Sequence, residues 1–272
     1  MNRLSIPSKT FLLGEYAILE GCPALLLGHG PRFEAQLESA GPSASPFHPK
    51  SPAGLWLESH PFPGKISFRD PHEGRGGFGA SGAEFVAAFR TTEMETEPEA
   101  FAWKAWKASR DFPGSGADVL TQAFGLGVPG DFLLRVDLET RSLRQVSKNA
   151  GLTLSLFHTG RKLPTHEHLK EKRKLPLSEL SAMVKEGVDG LEKGDGPAFA
   201  YALSSYGDCL ARFGLLAPHS ESALETLPLE RVLAAKGCGA MGADVLLVAH
   251  HGADLAAWAR ANSLAPSGNF PV

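Results

Sequence analysis

The chain has 272 residues, 43% of them hydrophobic and 21% charged, a balance that excludes a disordered tail or a fibre and is enough to bury a core. Its 27 basic and 30 acidic residues leave a formal charge of -3, so no whole-molecule field marks nucleic acid or an anionic membrane as its partner. Single cores tend to stop growing at about 250 to 300 residues, so the length admits two lobes. No apolar run approaches the ~18 residues of a membrane span, and Met1 to Gly14 lacks a signal peptide's apolar stretch, so a cytoplasmic protein is expected. Cys22, Cys209 and Cys238 are widely spaced and form no CxxC, which fits reduced thiols.

Short apolar or alternating runs between Gly and Pro predict strands over Thr10 to Leu13, Ala24 to Leu27, Phe33 to Glu38, Leu55 to Glu58 and Lys65 to Arg69. Four prolines between Gly41 and Gly54 predict a surface loop there. From Gly79 the period changes, and helices are predicted near Ala83 to Phe89, Pro98 to Ser109 and Ser115 to Phe124. Strands follow at Phe132 to Leu138 and Leu152 to Phe157. Helices are predicted near Thr165 to Arg173, Leu177 to Glu192, Pro197 to Phe213 and Glu221 to Ala235, then a strand at Val245 to Ala249 and a helix near Leu255 to Asn262. Strand-rich and helix-rich regions without a βαβ repeat make this an α+β chain.

Four segments carry candidate chemistry. In the first, Lys9 and Gly14-Glu15-Tyr16 flank one strand. In the second, Gly76 to Ala83 (GGFGASGA) runs into a helix. Its glycines let backbone N–H groups approach an anion, and a helix N-terminus adds unpaired donors, so polyphosphate could sit there; a tight strand-to-helix turn is the plain alternative. It is neither a Walker A loop nor a GxGxxG. The third, Gly114-Ser115-Gly116-Ala117-Asp118, places a carboxylate at a helix start, as a cap or as a base. The fourth, Lys236 to Asp244 (KGCGAMGAD), is a second Gly-rich loop before an apolar strand, readable also as a turn after a helix.

Taken in order, the four resemble the GHMP kinase superfamily, which includes galactokinase, homoserine kinase, mevalonate kinase and phosphomevalonate kinase. Gly14 to Leu26 (GEYAILEGCPALL), Ser81-Gly82, Gly114 to Gly125 (GSGADVLTQAFG) and Asp244 lean toward the phosphomevalonate branch. His158 to Thr165 also looks like that branch's T-G-x-P-x-S-T loop.

The resemblance implies a two-lobed α+β fold, an N-terminal lobe over 1–148 like ribosomal protein S5 domain 2 and a ferredoxin-like C-terminal lobe over 149–272, with the active site in the cleft between them. It implies ATP and Mg²⁺ as cofactors and in-line phosphoryl transfer to a small-molecule acceptor, with phosphomevalonate expected and mevalonate or another small alcohol as alternatives. Asp118 would be the base and Lys9 would stabilise charge on the transferred group. Gly77, Gly79, Ala80, Ser81 and Gly82 would hold the nucleotide phosphates, Ser81 also contacting Mg²⁺. Glu15, Tyr16, Ser115, Gly116, Lys107, Thr165, Gly239 and Ala240 would bind the acceptor. Neither nucleic acid nor membrane is expected as a partner, and the chain is expected as monomer or homodimer.

Four departures stand out: Ser8, Ala80, Cys238 and Met241 occupy positions where the family has Gly, Ser, Ser and Gly. A catalytically silent, ligand-binding relative is the reading they motivate from a different class. The run Lys104, Lys107, Arg110 stands where mevalonate kinases carry a metal-binding Glu. It either meets a phosphate-bearing acceptor or forms a solvated helix face. His166-Glu167-His168 and His250-His251 lack metal-site spacing and are expected at the surface.

Overall fold

The computed structural model describes residues 3–38, 44–161 and 174–272. The expectations for a helix over 165–173, for Thr165 and for the histidines at 166 and 168 lie outside the described residues.

In chain order the elements are β1 (Arg3–Leu13), β2 (Ala24–Glu38), α1 (Pro52–Ser59), β3 (Lys65–Arg69), α2 (Ala80–Phe89), α3 (Pro98–Ala108), α4 (Ala117–Phe124), β4 (Phe132–Asp137), β5 (Ser142–Val146) and β6 (Thr153–His158). They continue as α5 (Leu177–Lys193), α6 (Gly196–Arg212), α7 (Pro218–Glu225), β7 (Val232–Cys238), β8 (Val245–His250), α8 (Ala256–Ala261) and β9 (Ala265–Pro271). One sheet has the order β1-β2-β4-β5 with β3 paired to β2, and the other the order β7-β8-β6-β9. The expected α+β class holds.

The chain divides into two compact units, neither continuous in sequence. The first takes in Met1–Lys9, Gly28–Gly74 and Phe78–Phe132, the second Thr10–Leu27, Arg75–Gly77 and Leu133–Val272. Three strands, β1, β2 and β4, start in one unit and finish in the other. No helix among the described residues is long and apolar enough to cross a membrane.

Several elements differ from the sequence reading. Leu55 to Glu58 is helical: Ser51 Oγ accepts from the Gly54 amide at 3.2 Å and Pro52 stands in the first turn. A capped start decides what four alternating residues cannot. Ala24 to Leu27 and Phe33 to Glu38 are one strand, β2, running through Gly28 and Gly30, which sequence alone reads as a break. Gly28 is needed for packing, since a Cβ there would lie 2.3 Å from the Phe132 ring. The helix expected over Glu221 to Ala235 ends at Glu225, ahead of Pro228, and 232–238 pairs with β8 instead. Two strands escape the pattern, the short polar β5 on β4 and the Pro- and Gly-containing β9 on β6. His250 is buried, with its Nε2 2.7 Å from Ser155 Oγ, which corrects the surface expectation; its neighbour His251 is exposed.

In unit one, His29 on β2 is fully buried, its Nδ1 donating to the Gly30 carbonyl at 2.8 Å and its ring edge-on to Phe78. Burial pushes its pKa down from 6.5 to about 4, although the Gly30 carbonyl favours the charged form. Between those values the unfolded chain binds a proton that the folded chain does not. The stability supplied by neutral His29 is therefore complete above pH 6.5 and is lost as pH falls through 4. Urea unfolding at pH 7 and pH 5 should show a loss of about 2 kcal/mol from this group. His29→Gln should flatten that pH dependence; an unchanged slope in the variant would remove His29 as its source.

Candidate active site

The first unit gathers Lys9, the Gly-rich residues 79–82 and Asp118. Lys9 stands near the middle of β1, and its amide donates to the Phe78 carbonyl at 3.0 Å. Gly79 is the N-cap of α2 at φ 89°, a left-handed conformation open to glycine. A Cβ on Gly79 would lie 3.0 Å from Lys9 Cγ and 3.0 Å from Gln122 Nε2. A Cβ on Gly82 would lie 2.4 Å from Gln122 Oε1 and 3.2 Å from Asp118 Oδ2. The backbone of the first turn of α2 is thus pressed against a lysine on one side and a carboxylate on the other. The leading amides of a helix have no intrahelical acceptor, and with the positive end of the dipole they make its start a favourable place for an anion. Ala80 opens the helix, and Ser81 presents an exposed hydroxyl in its first turn.

Asp118 is half-buried on α4, whose N-cap is Gly116. Asp118 therefore sits one position inside the helix and is not its cap. Among the described residues its carboxylate accepts no hydrogen bond and forms no ion pair, which leaves both oxygens available for an incoming proton. The turn before it is braced from α3. Trp106 Nε1 donates to the Ser115 carbonyl at 2.9 Å, and Arg110 donates to the Gly114 and Ser115 carbonyls. Gly116, at φ 72°, lies under the Trp106 ring, which a Cβ would approach to 2.7 Å. The row Lys104, Lys107, Arg110 thus divides. Lys104 pairs with Glu93 and Glu95, Arg110 braces the turn, and Lys107 is exposed.

Ser8, where the family has Gly, is fully buried: its hydroxyl donates to the Pro31 carbonyl and lies 2.7 Å from His72 Nε2. His72 stacks on Phe78 at 4.3 Å. The departure at Ser8 is absorbed by a partner 64 residues away, which no sequence pattern announces.

The second unit gathers the other candidates. Lys236 on β7 is 1% exposed, and its Nζ donates to Glu15 Oε1 and lies 3.7 Å from Cys238 Sγ. Burial opposes its charge, but the Cys238 sulfur and the Glu15 carboxylate outweigh burial and raise its pKa. Tyr206 donates its hydroxyl to the Glu15 carbonyl at 2.8 Å, and burial raises the Tyr206 pKa so that it stays a donor. Tyr16 takes the Met241 amide on its hydroxyl at 2.7 Å. Glu15 and Tyr16 therefore hold the last Gly-rich loop, which carries Gly239 and Ala240. Met241 stands at φ 56°, the left-handed backbone that glycine favours. Gly77 also belongs to this unit, packed on Asp244 and Val245, where a Cβ would come within 2.8 Å. Burial and Arg75 lower the pKa of His158, whose Nδ1 accepts the Gly160 amide.

Sequence reasoning gave no role to Gln122 or His72, which lie outside its four segments, or to Lys236, which opens the fourth. A lysine inside the apolar run VLAAKGC was a usable signal; Gln122 offered only its place one turn after Asp118. Among the described residues no group of three or more His, Cys, Asp or Glu side chains is placed to hold a metal ion.

No protein-family model matches the chain, and no curated protein sequence matches it. Solved structures do. A Streptococcus pneumoniae phosphomevalonate kinase in complex with phosphomevalonate and AMPPNP superposes with a TM-score of 0.80 at 15% identity, covering 100% of both chains. A Methanococcus jannaschii mevalonate kinase gives 0.73 at 12% identity over 99% of this chain and 98% of that one. A Lactococcus lactis galactokinase complexed with galactose gives 0.67 at 11% over 100% and 95%. The chain has the GHMP kinase fold over its whole length.

Removing one partner of the buried Lys236–Glu15 pair leaves the other charge without compensation. Lys236→Met should cost about 3 to 5 kcal/mol in urea unfolding, and Lys236→Met with Glu15→Leu should recover most of it. Equal losses in single and double variants would assign the effect to packing alone.

Proposed function

We propose that the chain is a GHMP-type small-molecule kinase that transfers the γ-phosphoryl group of ATP to phosphomevalonate in the cytoplasm. The observation that carries the reading is the convergence in one unit of Lys9, the Cβ-free turn at Gly79 and Gly82, and the Asp118 carboxylate. Likeness of the whole chain to a phosphomevalonate kinase and the GEYAILEGCPALL and GSGADVLTQAFG strings support the choice of acceptor.

In this reading the α2 amides and the dipole behind them bind phosphate oxygens, and Lys9 offsets negative charge on the group in transit. Asp118 takes the proton of the acceptor hydroxyl as that oxygen bonds to phosphorus and the bond to ADP breaks. The donor set fits such a group: the glycines let Lys9 and Asp118 close on the start of α2, whose first amides lack intrahelical acceptors, and Ser81 is exposed in the same turn. Mg²⁺, when bound, would neutralise phosphate charge, with Ser81 the residue to reach it. Glu15 and Tyr16 act here by fixing the Gly239–Ala240 loop, through which they would shape the acceptor site. Three reduced cysteines accord with the cytoplasm.

The test is ADP release from MgATP with phosphomevalonate, mevalonate, homoserine and galactose, beside Asp118→Asn. Phosphomevalonate should be turned over, and the variant should lose about 10²- to 10⁴-fold in kcat with little change in Tm, because the carboxylate makes no hydrogen bond to lose. Preference for another acceptor would overturn the substrate and keep the kinase. Nucleotide binding without any turnover would favour the silent relative that Ala80 and Met241 motivate.

A further inference from the structure

Gln122 is fully buried on α4, one helical turn after Asp118 and on the same face. Its Nε2 donates two hydrogen bonds of 3.0 Å, one to the Pro7 carbonyl and one to the Gly79 carbonyl. Pro7 lies on β1 two residues before Lys9, and Gly79 is the N-cap of α2. A single amide thus joins the strand that carries Lys9, the turn that opens the phosphate loop and the helix that carries Asp118. The two carbonyl acceptors fix which end of the amide is nitrogen. The other end, Oε1, has no hydrogen-bond partner among the described residues and fills the space against Gly82 where a side chain would stand.

An orphaned buried acceptor is costly, and an apolar side chain of the same length would remove it only by giving up both donated bonds. What such a side chain could not do is hold Gly79. That residue has a left-handed backbone and no side chain of its own to pack; within the helix its carbonyl takes the Ala83 amide at 3.0 Å, and the Gln122 bond ties the same carbonyl to α4. Phosphoryl transfer depends on fixed geometry between the phosphate-binding amides, the cation and the base.

We propose that Gln122 is a positioning residue for phosphoryl transfer, which holds the Gly79 turn in register with Lys9 and Asp118 through the Pro7 and Gly79 carbonyls. The inference rests on the kinase reading above. It assigns to Gln122 no contact with either substrate.

Gln122→Met keeps the length and removes both donors; Gln122→Ala, whose cavity admits water to the two carbonyls, serves if the first variant does not fold. Three quantities are measured on wild type and variant well below their Tm: the Kd for MgAMPPNP, kcat/KM for MgATP, and KM for the acceptor. A misplaced turn should weaken MgAMPPNP about tenfold and lower kcat/KM for MgATP about 10- to 10²-fold, while the acceptor KM stays within about twofold. Amide hydrogen exchange over 79–82 without nucleotide should also quicken. A lower Tm with all three constants unchanged would make Gln122 a packing residue and overturn the proposal. Wild type that binds MgAMPPNP but turns over no acceptor would overturn the kinase reading, with the shift in Kd and in exchange still deciding Gln122. Wild type without nucleotide affinity would overturn both.

Discussion

At Gly79 and Gly82 the backbone passes so close to its neighbours that a Cβ would collide with Gln122 and crowd Lys9 and Asp118, and the first unit's candidate chemistry depends on that approach. Bare backbone brings helix amides up to a lysine and a carboxylate with no side chain between. The cost is conformational freedom, which glycine has in excess. The surrounding bonds limit it: the Lys9 amide to Phe78, the Gln122 amide to Gly79, and the Ser8–His72 contact under Phe78. The Gly-rich turn into α2 is therefore held from outside, its rigidity supplied by β1 and α4.

The second unit solves a related problem with charge. Its last Gly-rich loop is fixed by Tyr16 on the Met241 amide, and the segment bearing Tyr16 is fixed by Glu15 on Lys236. A buried ion pair contributes little net stability against an apolar substitute, since desolvation offsets attraction. Its value here is directional: the pair has one partner geometry, and Tyr206 adds a bond to the Glu15 carbonyl from α6. The chain start and a segment some 220 residues later are thereby kept in one register.

Seen beside these constraints, the departures from the family pattern are of unequal weight. Ser8 is absorbed by Pro31 and His72, and Met241 has a glycine-like backbone. Cys238 lies beside Lys236 and adds to the field that keeps that lysine charged. Ala80 removes a hydroxyl from the start of α2 but leaves the backbone amides, which carry most of an anion site's attraction.

The sequence by itself determined the α+β class, the Gly-rich turn into α2 and the placement of Asp118 at a helix start, because each is a local matter of periodicity, glycine and spacing; the kinase-type fold followed from the resemblance its motifs carry. It also gave the four motifs in their order. Tertiary structure decided what lies far apart in the chain: that Gly28 and Gly30 continue β2, that 232–238 is a strand, and that Lys236 meets Glu15. It decided too that Gln122 spans β1, α2 and α4. Long-range pairings turn on which surfaces the folded chain brings within a few ångströms, and no local window of sequence contains both partners.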